Sequence, residues 1–178
     1  YFSEDPLLAA KMATAMIQGI QRKNVGTSIK HFALNSQEHR RMSSSSQCDP
    51  RTMREIYFPA FEKAVKEAQP WTVMCSYNRV NGVFASENPW LLTDVLRKEW
   101  GFAGYVVSDW GAVSNRAAGV AAGLDLEMPS SDGINDQKII QAVRSGRLDE
   151  KAVDLSCERI LSIVFRATEN ARPDTVWD

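Results

Sequence analysis

Gly104-Tyr105-Val106-Val107-Ser108-Asp109-Trp110 is the stretch on which the fold turns. Four residues rich in β-branched side chains follow a glycine, which is too short for a helix and typical of a buried strand. Upstream, Asn88-Pro89 starts a helix carrying Leu92, Val95, Leu96 and Trp100, and Gly101 ends it. Downstream, a short helix over about Val113–Ala122 precedes Gly123 and a fourth strand candidate, Leu124–Met128. The same alternation extends outward. Asp5-Pro6 opens a helix to about Arg22, with Leu8, Met12, Met16 and Ile20 at helical spacing. Thr27–Phe32 reads as a strand, and a polar loop ends in the run Ser43–Ser46, expected to be mobile. Asp49-Pro50 opens a helical stretch to about Ala68, which Pro59 should kink or split. Trp71–Ser76 is a further strand, and Asn81-Gly82 signals a turn. Helices over about Asp136–Arg144 and Glu150–Arg166 follow, the last capped by Asp149. Strands separated by helices imply parallel βα units. They predict an α/β fold, either a small open sheet or about half of a TIM-like (β/α)₈ barrel, which typically needs ~250 residues.

Composition narrows the function classes. The 178 residues carry 21 Lys+Arg against 22 Asp+Glu, a formal net charge of -1, which argues against an electrostatic nucleic-acid binder. With 44% hydrophobic residues, low-complexity disorder does not fit. No apolar run approaches the ~18 residues of a membrane span, and no apolar segment opens the chain as a signal peptide would. Compartment is therefore unread. Both ends read as the middle of something longer. Cys48, Cys75 and Cys157 lie far apart and form no CxxC pair, so three reduced thiols are expected, with a Cys48–Cys157 bridge left open. No metal-ligand spacing, GxGxxG, P-loop or GxSxG elbow is present, and no metal or cofactor is implied.

In parallel α/β architectures the C-terminal ends of strands carry the chemistry. Here those ends are Lys30-His31-Phe32, Cys75-Ser76-Tyr77-Asn78, Ser108-Asp109-Trp110, and Asp125 with Glu127. Four polar strand ends in succession suggest a polar pocket. Lys30, His31 and Asp109 suit sugar hydroxyls, Trp110 or Tyr77 offers a face for a pyranose ring, and a carboxylate can stabilise an oxocarbenium-like transition state. Each residue also has a structural reading. Lys30 and His31 could be a solvated strand end, Tyr77 a core aromatic, and Asp109 the cap of the next helix. Asp125 and Glu127 form a rival carboxylate pair whose simpler role is to hydrogen-bond loop backbone. Glu38 and His39, beside Arg40 and Arg41, read as surface.

These motifs, taken in order, are similar to those of the N-terminal barrel domain of family 3 glycoside hydrolases, the β-glucosidase-like enzymes. The resemblance rests on Tyr1–Pro6, Lys30-His31-Phe32, Gln37–Arg41, Arg54–Pro59, Val73–Asn78, Gly101-Phe102, Val106–Trp110 and Gly123–Pro129. It implies a partial barrel domain over residues 1–168, forming the C-terminal portion (about half) of a TIM-like barrel, and a tail, 169–178, leading towards a second domain. It implies retaining hydrolysis of terminal β-linked sugars, with Asp109 as nucleophile forming a glycosyl-enzyme. Lys30, His31 and Arg41 match residues that hold sugar hydroxyls, with Arg40 the alternative to Arg41. Met74 and Tyr77 match neighbours of the nucleophile, and Trp110 the aromatic at the entrance. Lys30 and an arginine are expected beside Asp109, favouring its charged form.

The resemblance also implies partners. The acid/base of such enzymes usually comes from an α/β sandwich domain after the barrel, and further sugar contacts come from a segment ahead of Tyr1. The expected partners are a mono- or oligosaccharide and those N- and C-terminal parts of the parent enzyme. The β-N-acetylhexosaminidase branch carries a histidine on a glycine-rich loop after Lys-His-Phe. Here Ala33–Glu38 lacks that pattern, so this branch and β-xylosidase stand behind. A different class of reading is a catalytically incomplete fragment, which folds as a homo-oligomer through exposed sheet edges or only binds carbohydrate.

Overall fold

The structure, a computed structural model, describes residues 2–169. Apart from Glu169, the tail expected over 169–178 lies outside the described residues. Asp5 accepts the Leu7 and Leu8 N–H groups and so caps α1 (Pro6–Gln21), with Pro6 preset for the first turn. The stripe Leu8, Met12, Met16 that marks this helix in the sequence is exposed. The buried face is Ala10, Ala13, Thr14 and Ile17, three small residues and one isoleucine, and it lies on the helix over Pro59–Ala68. β1 (Ser28–Phe32) follows.

Ser45–Ser46, expected to be mobile, instead forms strand β2. It pairs in parallel with β4 (Arg79–Val80), and Ser46 Oγ donates to the Leu34 carbonyl at 2.8 Å. Serine composition signals a loop, but the ladder bonds here come from backbone groups, which composition does not report. β4 turns through Asn81-Gly82, both at positive φ, into antiparallel β5 (Val83–Phe84).

The stretch after Asp49 splits at Pro59 as expected. Asp49 caps α2 (Pro50–Thr52), and a π-helical turn, Met53–Tyr57, follows. α3 (Pro59–Ala68) starts on the proline, which has no N–H to place inside a helix. The Phe58 N–H reaches back five residues to the Met53 carbonyl. β3 (Thr72–Cys75) leads through the hairpin to a π-helix, Trp90–Glu99, and β6 (Tyr105–Val107). Asn115 caps α4 (Arg116–Ala122), and α5 (Ile134–Arg144) and α6 (Glu150–Glu169) complete the described chain. The Asp149 carboxylate accepts the Lys151 N–H at 3.1 Å, as expected of a cap. All three cysteines are free, so the Cys48–Cys157 bridge does not form.

The main sheet is parallel in the order β1-β3-β6, with Thr72 opposite Tyr105 and Met74 opposite Val107. The fourth strand expected at Leu124–Met128 reduces to a single parallel bridge, Val107 to Leu126. The reason is local. The Asp125 carboxylate takes the Val106 N–H, and the Ser108 hydroxyl takes the Met128 N–H, so side chains replace ladder partners on both sides of the bridge. Beneath the strand ends lies an aromatic core. Phe32, Phe58 and Trp100 meet at centroid distances of 5.5–5.8 Å, and Phe32 and Phe58 are fully buried. Each buried phenylalanine contributes about 1.5–3 kcal/mol by leaving water, and Phe32 anchors β1 directly after His31.

Candidate active site

β1, β3 and β6 run parallel, so their C-terminal ends emerge on one face. Asp109 follows β6 there, and its side chain is 11% exposed. One carboxylate oxygen, Oδ1, accepts the Trp110 N–H at 2.7 Å, and the other, Oδ2, lies 3.3 Å from His31 Nε2. The helix-cap reading of Asp109 fails, because Asn115 accepts the Ala118 N–H and caps α4.

Tyr77, just beyond β3, donates its hydroxyl to the Trp110 carbonyl at 2.9 Å. The Arg41 guanidinium stacks over the Tyr77 ring at 4.5 Å and pairs with Glu38 at 2.7 Å. Trp110 itself is about half exposed. Five of the sequence candidates (His31, Arg41, Tyr77, Asp109 and Trp110) are thus joined by direct contacts.

Lys30 and Met74 share none of those contacts. Lys30 is exposed on β1, and the group against Asp109 is the His31 imidazole rather than the expected Lys30 ammonium. Met74 is half-buried in β3, in register with Val107. Arg41, not Arg40, reaches Tyr77; Arg40 is exposed at φ 56° and contributes its carbonyl to the Ser43 and Ser44 N–H groups. Glu38 is the residue the sequence undervalued. It is exposed, as expected, yet it orients Arg41. No helix spans these residues, so no spacing rule pointed to the pair.

Asp125 and Glu127 take structural roles. Asp125 is buried and receives Arg97 at 2.6 Å, Arg159 and Ser156 at 3.0 Å, and the Val106 N–H at 2.8 Å. Glu127 accepts the Asn135 amide at 2.6 Å. The rival carboxylates are therefore occupied by the scaffold.

Burial lowers the His31 pKa from its ordinary 6.5, outweighing the pull of Asp109 upward, so the imidazole is neutral at pH 7. The 3.3 Å contact is then between a neutral ring and a carboxylate. Burial first, then the Asp109 charge, raise the Tyr77 hydroxyl above the phenol value. Burial pushes the Cys75 thiol up to about 12. Beside this cluster, a small hollow of about 90 Å³ is lined by Met42, Tyr77, Phe84 and residues 111–114. A larger open cleft of about 830 Å³ lies between Leu34, Gln37, Asp49, Tyr57 and Asn81.

The sequence pattern of the "Glycosyl hydrolase family 3 N terminal domain" matches residues 1–163. The chain belongs to glycosyl hydrolase family 3. Among its family 3 relatives, "Thermostable beta-glucosidase B" of Acetivibrio thermocellus is 54% identical over all 178 residues, which span 24% of that protein. An "Exo-alpha-(1->6)-L-arabinopyranosidase" of Bifidobacterium breve is 54% identical over 92% of this chain and 21% of its own length. The crystal structure of the Bifidobacterium adolescentis GH3 beta-glucosidase superposes on the whole chain with a TM-score of 0.95 at 50% identity, covering 26% of that protein. The beta-glucosidase 3B of Thermotoga neapolitana in complex with glucose covers 96% of this chain and 25% of its own, with a TM-score of 0.90 at 42% identity. The chain thus spans about a quarter of the length of these family 3 proteins. Its parallel βα units correspond to part of their TIM-like N-terminal barrel.

Proposed function

We propose that this chain supplies the nucleophile-bearing part of a β-glucosidase-like retaining glycoside hydrolase. One observation carries the reading: a carboxylate, Asp109, stands at the C-terminal end of a barrel strand with His31 on one side and Trp110, Tyr77 and Arg41 on the other. In this reading an Asp109 oxygen attacks the anomeric carbon as the bond to the leaving-group oxygen breaks. A general acid donates a proton to that oxygen. Water then attacks the anomeric carbon of the glycosyl ester, gives its proton to the same group acting as base, and frees Asp109. His31, Arg41 and Lys30 hold hydroxyls of the bound sugar, Met74 and Tyr77 shape the site around the nucleophile, and Trp110 stacks on the ring at the entrance.

The acid/base is assigned outside this sequence. Asp125 and Glu127 are held by arginines and an amide, and Glu38 is held by Arg41. The substrate is a terminal β-linked sugar. The similarity to both a beta-glucosidase and an arabinopyranosidase makes aryl β-D-glucoside and aryl α-L-arabinopyranoside the two substrates to compare. Replacing Asp109 by Gly or Ala in the full-length enzyme is expected to abolish hydrolysis of its preferred aryl glycoside. Full activity in that variant would refute the reading.

A second reading is favoured by a separate observation: β1 has a neighbour on one side only among the described residues, and Leu7, Leu8, Met12 and Met16 of α1 are exposed. Taken alone, the chain would cover these surfaces by pairing with a second copy and would bind sugar without cleaving it. Its mass in solution and its release of product from an aryl glycoside decide. A compact monomer that turns over substrate would refute this second reading.

A further inference from the structure

Ser108 immediately precedes Asp109 and is fully buried. Its hydroxyl accepts the Met128 N–H at 2.8 Å and donates to the Met128 carbonyl at 3.2 Å. The Ser108 N–H donates to the Leu126 carbonyl at 2.9 Å. On the far side of Asp109-Trp110, the Gly111 N–H donates to that same Met128 carbonyl at 3.0 Å, and the Ala112 N–H closes on the Asp109 carbonyl at 3.0 Å. The Asp109-Trp110 pair is therefore fastened before and after to one residue of the neighbouring segment. The regular ladder stops at the Val107–Leu126 bridge, and the Ser108 hydroxyl does what the next backbone group of a strand would do.

We propose that Ser108 is a positioning residue for Asp109: by clasping Met128 it fixes the turn that aims the Asp109 carboxylate past His31 into the sugar site. The proposal rests on the reading of Asp109 as nucleophile. The role goes beyond holding the fold together. The 124–128 segment is also fixed by Arg116, which donates to the Leu124 carbonyl at 3.0 Å and the Asp125 carbonyl at 2.7 Å, and by the four groups around the Asp125 carboxylate. Losing one hydroxyl leaves those bonds in place. What it loosens is the turn carrying Asp109, which keeps the Ser108 N–H bond to Leu126, the Gly111 N–H bond to Met128 and the Tyr77 hydroxyl on Trp110 but loses both contacts of the hydroxyl directly before Asp109.

The test uses the full-length enzyme and a glycoside of its preferred sugar with fluorine at C2 and a good leaving group, which traps the glycosyl-enzyme. The rate constant of covalent labelling and the affinity of the preceding complex are read separately, with a melting temperature for each variant. Ser108→Ala is expected to slow labelling on the order of 10- to 100-fold, as a displacement approaching 1 Å at the reacting atom would, with affinity unchanged. Ser108→Thr, which keeps the hydroxyl, is expected to restore the rate. Labelling of Ser108→Ala at the parent rate would overturn the proposal, as would a Ser108→Ala loss confined to affinity. If Ser108→Ala does not fold, Ser108→Cys takes its place; its longer, weaker bond is expected to slow labelling, and a parent-like rate would overturn the proposal equally. Peptide mapping keeps the two claims apart. A label on a residue other than Asp109 in the parent enzyme defeats the nucleophile reading, whereas a label on Asp109 with no effect of Ser108 defeats this one alone.

Discussion

Asp125→Ala should be among the most damaging single changes in this domain. The Asp125 side chain is wholly buried, and the Arg97 side chain it pairs with at 2.6 Å is 9% exposed. An arginine guanidinium stays protonated even when buried, so Arg97 keeps its charge when its partner is removed. Leaving one buried charge of a pair uncompensated costs about 3–5 kcal/mol. The Val106 N–H, bonded to Asp125 at 2.8 Å, loses its acceptor as well, which adds about 1 kcal/mol. Arg159 is nearer the surface, with its side chain 23% exposed, and can rehydrate, so its share is small. The sum is about 5 kcal/mol. Asp125→Asn keeps an acceptor for Val106 but loses the charge, and should cost about 1 kcal/mol less than Ala. Urea unfolding of the purified protein reads both values from midpoints at unchanged slope. An Asp125→Ala variant within about 1 kcal/mol of the parent would refute the reasoning, as would Asn costing as much as Ala.

Four further outcomes follow from the same geometry. His31 has a folded pKa below its ordinary 6.5, so the folded state binds fewer protons than the unfolded one between those values; stability rises with pH through that window and is lost on acidification. An NMR titration of His31 should show a midpoint below 6.5, and a midpoint above it would contradict the burial argument. Gly104→Ala would place a methyl 2.1 Å from the Trp71 carbonyl oxygen and should destabilise by about 3 kcal/mol. Gly19→Ala, in α1 with open space around it, should stabilise by about 0.5–1 kcal/mol, and thermal melts that reverse this order would count against the packing described. Cys75, buried and held up at about 12, should resist a thiol reagent in the folded protein while exposed Cys157 reacts; equal labelling rates by mass spectrometry would show that the region below Asp109 is open.

Much of the architecture was legible because it rests on backbone periodicity. Short apolar and β-branched runs located β1, β3 and β6, the first and last directly after a glycine, and Asp-Pro pairs located the starts of α1 and α2. The errors arose where a side chain did a backbone's work. Ser108 and Asp125 displace ladder partners, so Leu124–Met128 looks like a strand by pattern but pairs at one point. On α1 the apolar residues Leu8, Met12 and Met16 face outward, while the buried face is built from Ala10, Ala13, Thr14 and Ile17.

The site was partly legible for the same reason. Strand ends pointed to His31, Tyr77, Asp109 and Trp110, which the fold brings together. Pattern could not say which of Lys30 and His31 would meet Asp109, nor that Arg41 would lie across Tyr77, since both depend on side-chain direction.

The identity of the residue that becomes glycosylated tests the central claim most directly. After trapping the full-length enzyme with a 2-fluoro glycoside, digestion and mass spectrometry should find the sugar on the peptide containing Ser108-Asp109-Trp110, esterified to Asp109. A sugar attached elsewhere, or an intact enzyme that turns over substrate with inversion at the anomeric carbon and no covalent adduct, would contradict it.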